Sequence, residues 1–150
     1  MKLSLRFGLI LLLSLMICVG TRADPTGDLI LAAGHGEVSS VQALLNQGAD
    51  VNAADEFGIT ALMYAAHSGS TPTVKLLLDK GANVNAKAKL FGYTALMNAA
   101  GFGDLEMVQA LLDKGARVNE KNSDGATALK IAEEAGKADN VTLLRHHGAN

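Results

Sequence analysis

The sequence predicts an all-α solenoid of four helix-turn-helix repeats, and three observations carry that prediction. Residues 60–85, TALMYAAHSGSTPTVKLLLDKGANVN, recur almost residue for residue at 94–119 as TALMNAAGFGDLEMVQALLDKGARVN. Gly-Ala pairs stand at Gly48-Ala49, Gly81-Ala82, Gly115-Ala116 and Gly148-Ala149, with spacings of 33, 34 and 33. Seven residues before each glycine stand Val41, Val74, Val108 and Val141, and four before stand Leu44, Leu77, Leu111 and Leu144. A register held this closely over four units marks a stacked repeat.

Each element of the unit follows from its residues. Thr60 and Thr94 can cap a short first helix, the hydroxyl accepting from an orphan backbone N–H. Ala65-Ala66 and Ala99-Ala100 lie late in that helix, where small side chains let neighbouring helices approach. Gly69 and Gly103 end it. In the second helix Val74, Leu77 and Leu78 share one face at offsets of three and four. Gly81 falls where a helix takes a left-handed residue to stop, and Asn83-Val84-Asn85 leads out through a polar turn. One unit cannot bury its own apolar stripe, so the copies must stack.

The first repeat is worn: Gly27 stands at the capping register, with Asp28 beside it, while Leu29, Ala32 and Ala33 keep the core positions. The second has Thr71-Pro72 opening its second helix, read as a cap followed by first-turn proline. The third carries one extra residue, because Asn85 to Gly92 spans seven steps where Asn52 to Gly58 and Asn119 to Gly125 span six. In the fourth, Arg145 replaces the leucine of the other copies and His146-His147 follow, which suits the last unit of a stack.

These residues resemble the ankyrin repeat, a pair of antiparallel helices with a projecting hairpin-like loop. The Asp-x-x-Gly-x-Thr opening stands as Asp55, Gly58 and Thr60. The Gly-Ala-x-x-Asn ending stands as Gly48-Ala49 with Asn52, Gly81-Ala82 with Asn85, and Gly115-Ala116 with Asn119. The family's Thr-Pro-Leu-His appears as Thr60-Ala61-Leu62-Met63, Thr94-Ala95-Leu96-Met97 and Thr127-Ala128-Leu129-Lys130. The resemblance covers residues 26–150. It implies a non-catalytic protein-binding module, whose loop and turn positions project from the concave side and meet the partner.

Residues 1–23 stand apart from the repeats. Lys2 and Arg6 give a positive start, residues 7–19 are apolar except Gly8 and Ser14, and Thr21-Arg22-Ala23 precedes a cleavage point. That pattern predicts a secretory signal peptide removed after Ala23, the run being shorter than the roughly 20 residues of a membrane span. Cys18 follows Leu15, but Ile17 before it is too large for a lipidation site, so a lipoprotein is not expected. The expected organisation is 1–23 signal peptide and 24–150 repeat domain, with repeats at about 24–52, 53–85, 86–119 and 120–150. Loss of Lys2, Arg6 and Arg22 lowers the basic count from 13 to 10 against 15 acids, a net charge of −5, and removes the single cysteine. A periplasmic or secreted domain free of thiols and disulfides is expected. The acidic balance, without a basic stripe, excludes nucleic acid as partner. A monomer without membrane insertion after processing is expected.

Little in the chain points to chemistry. His35, His67, His146 and His147 lack the convergent ligands of a metal site, and the adjacent His146 and His147 are expected on different sides of a helix. Gly34-His35-Gly36 and Gly101-Phe102-Gly103 lack the third glycine and preceding strand of a dinucleotide loop. The serines show no nucleophile elbow, and Glu133-Glu134 read as an exposed helix face. No catalytic residue, metal or cofactor is expected.

The placement of the aromatics is more informative. Phe57, Phe91, Tyr93 and Phe102 stand at loop or turn positions, leaving only Tyr64 inside a helix of the residues after Ala23. With Ile59, His67 and Leu90 they are expected to form one contiguous exposed patch that binds another protein. Two alternatives differ in class: a dedicated stabilising or accessory factor for one envelope enzyme, and an enzyme.

Overall fold

The structure, a computed structural model, describes residues 24–150. The expected signal peptide, its cleavage after Ala23, and Cys18 lie outside the described residues. Eight helices follow in the described chain: α1 (Pro25–Gly34), α2 (Val38–Asn46), α3 (Ala61–His67), α4 (Thr71–Asp79), α5 (Ala95–Phe102), α6 (Leu105–Asp113), α7 (Ala128–Glu134) and α8 (Ala138–His146). They pair as α1–α2, α3–α4, α5–α6 and α7–α8. The first helices stack in one row and the second helices in another.

The caps set where helices begin. Thr60, Thr94 and Thr127 each accept a 3.3 Å hydrogen bond from the backbone N–H three residues on. Two expected caps are corrected. Gly27 is buried inside α1, which starts earlier because Asp24 Oδ1 accepts from Thr26 N at 3.0 Å and Pro25 fits the first turn. Ser70, not Thr71, is the residue before α4; Thr71 is already helical and donates its hydroxyl to Asp104 Oδ1 in the next repeat at 2.9 Å. Asp104 also caps α6 by accepting from Met107 N at 2.8 Å, so one carboxylate ties two repeats.

The Gly-Ala ending is a helix stop. At α4, Gly81 is left-handed (φ 89°), its N–H reaches Leu78 O at 3.1 Å, and Ala82 N reaches Leu77 O at 3.0 Å. This is the Schellman arrangement, which satisfies carbonyls the helix leaves open. The Asn that follows is more than a turn residue. Asn85 donates to Gly115 O at 3.1 Å and accepts from Arg117 N at 2.8 Å. Asn119 does the same with Gly148 O (3.0 Å) and Asn150 N (3.1 Å), and Asn52 with Gly81 O (3.5 Å) and Asn83 N (2.6 Å). Each asparagine clips its repeat to the helix stop of the next.

The core runs along the stack between the two rows. Ala65, Ala66, Ala99 and Ala100 are fully buried, as are Val74, Leu77, Val108 and Leu111. At the last repeat the surface turns polar, where Arg145 pairs with Glu133 at 2.7 Å and Lys130 with Glu134 at 3.6 Å. The expected divergence of His146 and His147 is corrected: their ring centroids lie 5.7 Å apart. His147 is past the end of α8, and its Nδ1 lies 3.0 Å from Leu143 O, which folds the ring back beside its neighbour.

Candidate protein-binding face

Three loops join the repeats, and two of them hold their own shape. Asp55 Oδ1 accepts from Phe57 N (3.0 Å) and Ile59 N (2.9 Å), while its Oδ2 accepts from the Tyr64 hydroxyl at 2.9 Å. Asn122 Oδ1 accepts from Asp124 N (3.0 Å) and Ala126 N (2.8 Å). A short side-chain acceptor that gathers nearby N–H groups fixes a turn locally.

The third loop lacks that device. Ala88 N donates to Tyr93 O at 2.9 Å, matching Asp55 N to Ile59 O (3.1 Å) and Asn122 N to Ala126 O (3.0 Å). Ala88 therefore stands where Asp55 and Asn122 stand, without an acceptor. Four residues, Lys89-Leu90-Phe91-Gly92, then make a tip that elsewhere takes three, which places the inserted residue. Phe91 absorbs it in a left-handed conformation, φ 63°.

Neighbouring loops hold this tip in place. Lys89 N donates to Phe57 O at 2.9 Å, and Ser123 N donates to Phe91 O at 3.0 Å. The Lys89 chain lies directly over Gly58, where a Cβ would come within 2.9 Å of both Lys89 N and Cγ. Only glycine fits there. The three tips form one continuous row.

At the far end of the first helices, His67 and Phe102 meet edge to face, with ring centroids 4.2 Å apart at 60°. Burial lowers the His67 pKa below its usual 6.5, so the ring is neutral at pH 7. The third repeat's turn brings this about: α5 runs on to Phe102, and Gly103 is extended (ψ 170°).

The seven residues expected to bind divide accordingly. Leu90 and Phe102 are exposed, at 36% and 38%. Phe57, Phe91 and His67 are half-buried. Ile59 (0%) and Tyr93 (5%) are buried, and their expected exposure is corrected. The residue after each loop glycine turns inward as the hairpin closes, and Ala126 in the fourth repeat is buried likewise. Burial raises the Tyr93 pKa above 10.0, and the Asn122 side chain opposes that shift. The rest form two groups rather than one patch. Phe57, Leu90 and Phe91 sit at the tips and His67 with Phe102 at the turns, separated by a helix of about 10–12 Å.

Sequence reasoning missed the asparagine clips and the two loop acceptors, although Asn52, Asn85 and Asn119 recur in register. Among the described residues no three His, Cys, Asp or Glu side chains gather as a metal site. No helix there is long and apolar enough to cross a membrane.

A comparison with curated proteins returned no match. A family model described as ankyrin repeats (3 copies) matches residues 11–88, 29–122 and 84–150, nearly the whole length. The paired helices, the glycine stops and the projecting loops are those of that unit. The chain belongs to the ankyrin-repeat family.

Proposed function

We propose that the protein is a non-catalytic binding module, exported to the periplasm or beyond after removal of residues 1–23, which holds a partner protein on its loop tips and helix turns. Ankyrin repeats are generally protein–protein interaction modules. The observation that carries the reading is the exposure of Leu90 and Phe102 on a rigid frame that does not need them for its core. Large apolar side chains at such points commonly anchor a partner. A dedicated role for one envelope enzyme is a narrower form of the same reading, in which the partner is single and stoichiometric.

Capture from an envelope extract tests it. The wild-type protein is expected to retain a partner that the combined Leu90→Ala, Phe91→Ala, Phe102→Ala variant loses, with helical circular dichroism unchanged in the variant. Equal capture by the two proteins contradicts the assignment of the face.

A further inference from the structure

We infer that the surface recognised by the tip row is an apolar segment with a carboxylate beside it and basic groups on both flanks. This rests on the binding reading above and adds the partner's chemistry to it.

The charge pattern along the tips carries the inference. Hydrogen-bond register aligns Glu56-Phe57 of the second loop, Lys89-Leu90-Phe91 of the third and Ser123-Asp124 of the fourth. The tip row thus reads negative, positive, negative, with Leu90 at its centre. Lys75, Lys87, Lys114, Arg117, Lys130 and Arg145 are in ion pairs, whereas Lys89, like Lys80, Lys121 and Lys137, makes none among the described residues, and of these four only Lys89 stands among the aligned tip residues. It is an available cation in a domain whose acids outnumber its bases.

The geometry shows that Lys89 and Leu90 are presented rather than left loose. Lys89 is laid across Gly58, and the tip is bonded on both sides by Phe57 and Ser123. Phe91 holds a backbone conformation that is uncommon for a bulky residue. Strain of this kind persists where the surroundings over-determine it, and it concentrates at ligand contacts. A tip fixed before binding loses little conformational freedom on docking. Charges placed in alternation chiefly select the partner and its register.

Charge exchange on defined probes tests this. Three sets of synthetic 12-residue peptides carry a central Phe-Leu pair: one with an adjoining Glu and Lys at both ends, one with every charge reversed, and one uncharged. The protein, produced from its full-length gene, is expected to bind the first set at least tenfold tighter than the second at low salt. Lys89→Glu is expected to remove or invert that order, and Leu90→Asp to abolish binding of all three. Equal binding of the sets, no binding of any, or an order unmoved by Lys89→Glu overturns the inference. So does self-association through the tips that Leu90→Asp disrupts. If envelope capture still depends on Leu90, Phe91 and Phe102 while the peptides fail, only the charge pattern falls and the binding reading stands.

Discussion

Phe91 is the one non-glycine among the described residues with positive φ, and this gives it an unusual substitution pattern. A left-handed residue bearing a Cβ costs roughly 1–2 kcal/mol. Phe91→Gly and Phe91→Ala lose the same ring, but only alanine keeps that strain. Denaturant titration should find Phe91→Gly the more stable by about 1 kcal/mol, the reverse of the order at Phe57. His67 supplies a pH test at the same scale. Its pKa is lowered in the fold, so the unfolded chain binds the proton more readily and stability falls as pH drops below about 6.5. His67→Asn is expected to flatten part of that fall below about pH 6.5, followed as melting temperature. At this scale the sequence misleads most. Ile59 and Tyr93 follow a loop glycine and look like loop residues, yet they are buried. Apolar residues at this position in three successive repeats, ending with Ala126, were the available signal. The left-handed Phe91 has no signature beyond the odd spacing.

At the scale of elements, most of the structure is readable because each boundary has a local cause. The threonine caps and the Gly81 stop are visible as residue types at fixed offsets, and so is the Val-Leu-Leu face of the second helix. The start of α1 was missed by following the repeat register to Gly27, when Asp24-Pro25 is itself a cap followed by first-turn proline. What the sequence hides is contact between repeats: Thr71 with Asp104, and Asn85 with the next helix stop. Leu78, 5% exposed in α4, should cost about 2–5 kcal/mol when cut to alanine. Asn85→Ala removes two hydrogen bonds to the third helix stop and should cost about 1–2 kcal/mol. If chemical denaturation finds Asn85→Ala neutral, the clip contributes nothing to holding the repeats together.

On the scale of the whole molecule, each repeat is held by its neighbours, and the ends of the stack matter for association. Arg145 covers the last repeat and pairs with Glu133, both side chains well exposed. Arg145→Leu should change the melting temperature little, since exposed pairs contribute little, while light scattering should show concentration-dependent association. The two apolar groups on the tips and turns stand apart from this end. The central claim is that they meet a partner. Amide hydrogen exchange of the protein, alone and with its captured partner, tests it most directly. New protection is predicted at 56–58, 89–92 and 101–103, with the second helices unchanged. Protection appearing on α4, α6 and α8 with the tips unaltered would contradict it.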